Sequence, residues 1–159
     1  LVSAYTPPEE APMPDDSPAP RRLPTPERMT ASTEGTFPGL IGMEVTEVAD
    51  GMLAARLVVR PDLRAPNGYL HAGTVVTLAD TLCGFGCRMM VPEGATGFTT
   101  IELKANFLGT VREGAIRAVA RLIHGGRTTQ VWDAEVTDES TGKAIAQFRC
   151  TQMVLYPRE

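Results

Sequence analysis

Along this chain the spacing of apolar and polar positions changes several times, and each change marks an element. Over residues 73–87 nearly every side chain is apolar or small, and Asp80 carries the one full charge. A helix with one apolar stripe lies on a surface, whereas a helix apolar round most of its circumference is enclosed by protein. This stretch therefore predicts a buried central helix, entered through an Asn67-Gly68 turn. Ahead of it, residues 43–49 and 52–59 are short β-rich runs separated by Asp50-Gly51, a strong hairpin signal. In the second run Leu53, Ala55, Leu57 and Val59 alternate with Arg56, so one face is expected to be buried. After the helix come four more runs, residues 98–108, 115–124, 128–137 and 143–155. Alternation is clearest where Ile101, Leu103, Ala105 and Phe107 face away from Thr100, Glu102, Lys104 and Asn106. The connections at residues 109–114, 125–127 and 138–142 are short enough for antiparallel neighbours. Two strands, one apolar helix and four strands predict an α+β domain in which a six-stranded antiparallel sheet curls around the helix.

Composition adds a boundary. Residues 1–36 hold eight of the 13 prolines and six acids against three arginines, and such a segment buries too little apolar surface to offset its ordering entropy. It reads as a flexible or loosely docked tail with a short helix near residues 26–32, followed by one domain over residues 37–159. The net charge of -4 and pI near 5.2 argue against nucleic acid or a membrane surface as partner. No apolar run is long enough for a membrane span and no signal sequence is evident. Cys83, Cys87 and Cys150 form no secreted disulfide framework, so a reducing cytoplasm is expected. Cys83 and Cys87 lie one helical turn apart, but no neighbouring ligand set completes a metal site.

A carboxylate in an enclosed helix is costly unless it is paired, protonated or turned to a cleft used for chemistry. Asp80 is therefore the residue to explain. The run His71-Ala72-Gly73, with Asp80 seven residues later, Thr100-Ile101-Glu102-Leu103, Asn106-Phe107-Leu108 and Gly125-Gly126-Arg127 before a strand, resembles the hotdog-fold acyl-CoA thioesterases of the phenylacetic-acid-degradation (PaaI) type. The similarity covers roughly residues 37–156. It implies a hotdog fold, a homodimer joined sheet edge to sheet edge, often paired into a homotetramer, and active sites at the subunit interface. The implied reaction is hydrolysis of an acyl-CoA or aryl-CoA substrate to free acid and coenzyme A, without metal or organic cofactor.

The resemblance also implies roles. Asp80 would be general base or nucleophile. Ala72, standing where the family usually has glycine, and Gly73 would offer backbone N–H groups at the helix start to the oxyanion. His71 would orient the loop or support the carbonyl. Asn67 would touch the thioester or the water, and Thr100 would help place that water. Thr77 shares the face of Asp80. Gly125, Gly126, Arg127 and Thr128 would receive the phosphates of coenzyme A, with Lys104 and Arg88 as further contacts. Phe85, Met89 and Met90, together with a neighbouring subunit, would line the acyl pocket. Two other readings stay open: a hotdog hydratase or dehydratase pairing a histidine with the helix carboxylate, and a non-enzymatic acyl-CoA-binding protein.

Overall fold

The computed structural model describes residues 22–158. The expectation of a flexible tail over residues 1–21 lies outside that range. The rest of the proline-rich segment is docked. Pro26–Ala31 forms helix α1, capped where Arg28 N donates to Thr25 Oγ1, and its Met29 is buried in the core. Phe37–Ile41 forms a second short helix, α2, which its Pro38 and Gly39 hide from a periodicity reading. Pro38 falls in the first turn, where a missing N–H costs nothing. Gly39 lets the helix settle on Thr33, because a Cβ there would overlap the Thr33 carbonyl.

The hairpin forms as expected, with β1 at Glu44–Ala49, β2 at Met52–Val58 and Gly51 at φ 68° in the turn. The central helix α3 runs Ala72–Met90, longer at both ends than the apolar stretch. Strands β3 (Gly97–Phe107), β4 (Ala115–Gly125), β5 (Thr129–Asp138) and β6 (Ala144–Leu155) follow. All pairings are antiparallel and the order is β1-β2-β4-β5-β6-β3.

That order corrects one expectation. The short 109–114 connection suggested that β3 and β4 are neighbours, yet β3 pairs with β6 and β4 pairs with β2. The chain between them crosses two intervening strands, a span of about 15 Å at about 4.8 Å per strand. Seven extended residues cover it with room to spare. Strand β3 is left as an edge, 11 residues long. Its pairing puts Leu103 opposite Cys150 and Ala105 opposite Phe148, on the inner face of the sheet, where Phe98 and Ala105 pack against the core. Ile101, Leu103 and Phe107, expected to be buried, are 54%, 44% and 48% exposed.

Helix α3 crosses the concave face of the sheet, and the side chains between them make the core. Leu78, Leu82 and Cys83 of the helix, Leu53 and Leu57 of β2, Ile116 of β4 and Trp132 of β5 are all wholly or almost wholly out of water. Gly86 is the point of closest approach, since a Cβ there would overlap the Trp132 ring. Buried Gln130 ties the same region together: its Oε1 accepts from Trp132 Nε1 at 2.9 Å, and its Nε2 donates to Met90 O at 3.0 Å. The last turn of α3 thereby gains a side-chain donor for one of the carbonyls that a helix's own N–H groups leave over. No helix among the described residues is long and apolar enough to cross a membrane.

Gly86→Ala is expected to destabilise the fold by about 1–3 kcal/mol, because the added methyl must push the indole or the helix away in a close-packed core. Urea unfolding followed by Trp132 fluorescence measures this, and an unchanged midpoint would remove Gly86 from the packing argument.

Candidate active site

The start of α3 is built by His71. It is the N-cap, with extended backbone, and its Nδ1 accepts from Gly73 N at 2.8 Å. An imidazole accepting at Nδ1 in its neutral form carries its proton on Nε2. The His71 carbonyl accepts from Thr74 N and Val75 N. These bonds redistribute the oxyanion donors expected from sequence. The Gly73 N–H is already committed to the histidine ring, whereas the Ala72 N–H has no acceptor among the described residues. Ala72 keeps negative φ, as no residue other than glycine has positive φ among the described residues, so alanine fits the backbone there without strain. Gly73 is required for a different reason: a Cβ would lie 2.9 Å from His71 Nδ1 and displace the ring.

Seven residues on, Asp80 lies on the same stripe as Gly73 and Thr77, since offsets of seven and three residues return to one face of a helix. Thr77 Oγ1 donates to Gly73 O at 2.8 Å, which leaves the hydroxyl oxygen free to accept. Asp80 is half-buried, and its Oδ1 is cut off from water with no hydrogen-bond donor among the described residues. Burial alone pushes its carboxyl above the ordinary range. No lysine or arginine among the described residues pairs with it, so a buried ion pair does not describe this residue there.

One turn beyond Asp80, Cys83 is hydrogen-bonded with Cys150 on β6, and that bond together with burial raises its thiol well above the usual value. Cys87 is pushed up to about 12, chiefly by burial. These two thiols stay protonated at neutral pH and are poor nucleophiles. Gln152 Nε2 donates to Cys150 Sγ at 3.3 Å, and Thr100 Oγ1 donates to Gln152 Oε1 at 2.9 Å. Thr100 thus belongs to a chain of contacts that runs from β3 through β6 to the helix beside Asp80, and its own proton is used in that chain.

The remaining sequence candidates are spread more widely. Asn67 Oδ1 accepts from Tyr69 N at 3.2 Å, closing the turn ahead of the helix. Gly125, Gly126, Arg127 and Thr128 form the β4–β5 hairpin, where Gly126 N donates to Thr129 O and Val154 N to Thr128 O. Arg127 is exposed over the Tyr156 ring, 5.8 Å from its centroid, with no ion pair among the described residues. Lys104 lies on the outer sheet face among Asp133 and Arg149. Phe85 and Met89, expected in the acyl pocket, line instead a cavity of about 640 Å³ beneath α1, together with Arg88. Met89 is nine residues from Asp80, half a rotation away on the helix, so that cavity opens on the opposite side from the carboxylate. A feature the sequence reading passed over is Arg64, which sits in the loop before α3 and lines a cavity with His71, Gly73 and Thr77.

A model of the thioesterase superfamily matches residues 67–145, the span from Asn67 to the start of β6. Over 119 residues the chain is 35% identical to a 1,4-dihydroxy-2-naphthoyl-CoA hydrolase of Listeria monocytogenes, covering 75% of this chain and 95% of that one. It is 34% identical over 127 residues to the proofreading thioesterase EntH of Klebsiella pneumoniae, covering 80% and 91%. Among solved structures, a mutant thioesterase from Pseudomonas aeruginosa superposes with a TM-score of 0.80 at 34% identity over 85% of this chain and 96% of that one. The PaaI protein of Escherichia coli superposes with a TM-score of 0.70 at 20% identity over 82% and 96%, a likeness of fold.

The raised Asp80 carboxyl has a consequence for stability. A carboxyl that holds its proton more tightly in the folded chain than in the unfolded one adds nothing at low pH and weakens the fold as pH rises through the interval between the two values. Asp80→Asn removes that penalty. The variant is expected to melt above the wild type at pH 7, with the gap closing below about pH 4, the ordinary aspartate range. Thermal melts across pH 3–8 check it, and a variant that melts lower at pH 7 would mean Asp80 has a stabilising partner.

Proposed function

The chain belongs to the thioesterase superfamily, and from that premise we propose that Asp80 and the Ala72 N–H hydrolyse an aryl-CoA at a site completed by a second copy of the chain. It is a thioester hydrolase acting on acyl-CoA, in keeping with relatives matched over nearly their whole length. The observation that carries the residue assignment is the unpaired, half-buried Asp80 on one helix stripe with the uncommitted N–H at the helix start.

In this reading the thioester carbonyl oxygen lies against the Ala72 N–H, where the helix dipole adds to the donor. Asp80 takes a proton from water, and the hydroxide so formed attacks the carbonyl carbon. The tetrahedral oxyanion collapses, the C–S bond breaks, and the thiolate of coenzyme A leaves and regains a proton. Partial burial suits this work, because a carboxylate with a raised pKa is a stronger base than a solvated one. His71 holds the helix start rigid through Gly73, and Arg127 meets a phosphate of coenzyme A. The chemistry calls for no group beyond the carboxylate, water and backbone. An aromatic acyl group is favoured over an aliphatic one because two hydrolases among the relatives carry a naphthoyl-CoA in their names.

The second copy is supported by the edge. An 11-residue strand with an unpaired rim and an exposed apolar inner face is a template for another strand. Pairing β3 with its copy covers Ile101, Leu103 and Phe107 and closes the open side of the Asp80 stripe.

Asp80→Asn and Asp80→Ala are expected to lower kcat for thiol release by about 10²-fold to 10⁴-fold while circular dichroism stays unchanged. If both retained wild-type rates across benzoyl-CoA and naphthoyl-CoA, Asp80 would have no part in the mechanism. Hydration of crotonyl-CoA without thiol release would favour a hydratase instead. Leu103→Asp is expected to shift the protein to monomer in light scattering and to lower turnover with it. A monomer of full activity would show that the site is complete in one chain.

A further inference from the structure

On the side of α3 away from Asp80, a cavity of about 640 Å³ lies beneath α1. Its size falls within the roughly 300–1,000 Å³ usual for small-molecule pockets. Three parts of the chain meet around it: the segment ahead of α1 brings Arg22, α1 brings Arg28, and the C-terminal part of α3 brings Phe85, Arg88 and Met89. Phe85 and Met89 are half-buried, whereas the three arginines are exposed. The wall thus joins apolar side chains to three cations.

Those charges have no counterpart in the wall. The chain as a whole is acidic, with 19 Asp and Glu against 15 Lys and Arg, yet no acid lines this cavity among the described residues. Glu27, the one acid of α1, is held by its own backbone N–H and by Thr25, which keeps its carboxyl below the ordinary range. Arg56, Arg60, Arg117 and Arg149 each pair with a carboxylate, and among the described residues Arg22, Arg28 and Arg88 do not. A cation in the last turn of a helix answers the helix dipole, which accounts for Arg28 and Arg88 one at a time. It accounts neither for Arg22 nor for three like charges gathered round one concavity, where their fields add.

The number of guanidiniums decides the class of ligand. Each offers a planar fork of N–H groups that fits a carboxylate or a phosphate. A single carboxylate presents too few oxygens for three forks, whereas a phosphate monoester presents three terminal oxygens and about two negative charges. We propose that this cavity binds a small organic phosphate, held through its phosphate by Arg22, Arg28 and Arg88 and through its apolar body by Phe85 and Met89. The site uses neither Asp80 nor the Ala72 N–H, so it stands or falls independently of the thioesterase reading.

The test uses the full chain in calorimetric titrations with 1-naphthyl phosphate, 1-naphthol and inorganic phosphate. The wild type is expected to bind naphthyl phosphate at least about 10-fold more tightly than either fragment, and added sodium chloride to weaken naphthyl phosphate but not naphthol. Arg22→Met, Arg28→Met and Arg88→Met are each expected to weaken naphthyl phosphate by about 10-fold and to leave naphthol unchanged. That is the low end for a hydrogen bond to a charged group, because these guanidiniums are exposed. Arg22 lies ahead of α1, so its variant reports on binding even where Arg28→Met loosens the short helix. Phe85→Ser is expected to weaken naphthyl phosphate and naphthol but not inorganic phosphate, and Asp80→Asn to bind all three as the wild type does. Equal affinity for naphthyl phosphate and inorganic phosphate, or an affinity unmoved in all three Met variants, would overturn the site. So would displacement of naphthyl phosphate by saturating coenzyme A, which would assign the arginines to the nucleotide of the substrate.

Discussion

The contact of Trp132 with Gly86 is what the other features rest on. An apolar helix can pack across a curved sheet at many rotations, because dispersion and area burial have little directional preference. The indole filling the space of a missing Cβ removes that freedom. Gln130 reinforces it by bonding both the indole and the last turn of the helix. Once one side of α3 is locked onto β5, the opposite stripe of Gly73, Thr77 and Asp80 must face away from Trp132.

That orientation explains how an unpaired carboxylate is tolerated. Asp80 adds an unfavourable term, seen in the upward shift of its carboxyl, but the term is small beside the apolar surface that Leu53, Leu57, Leu78, Leu82, Ile116 and Trp132 remove from water. The two buried side-chain atoms without a partner among the described residues are Asp80 Oδ1 and Arg64 Nε. They carry opposite charges, and neither is used to neutralise the other. A fold optimised for stability alone would pair or delete both.

The edge of the sheet follows the same logic. The alternation of Ile101, Leu103, Ala105 and Phe107 is that of a half-buried strand, and the pairing with β6 turns Leu103, Ala105 and Phe107 to the inner face. A bulge between Thr100 and Glu102 leaves Ile101 unpaired and brings Thr100, opposite buried Gln152, into phase with them. Ala105 packs against the core, whereas Leu103 and Phe107 stay 44% and 48% exposed. The family match over residues 67–145 covers the helix start, Asp80 and this edge strand together.

Much of the fold was legible in the sequence because its signals are local. The Asp50-Gly51 turn fixed the first hairpin, the small and apolar run fixed α3, and period-two alternation located the later strands to within a residue or two. Asp80 stood out because a charge in an enclosed helix demands an explanation wherever it is met. Three things lay beyond that reading, each for the same reason. That β3 pairs with β6 and not β4, that the Gly73 N–H is spent on His71, and that Phe85 and Met89 lie half a turn from the carboxylate all depend on which of several compatible contacts wins. Such outcomes are settled by packing among residues far apart in the chain, so periodicity named the groups while tertiary structure alone decided which of them meet.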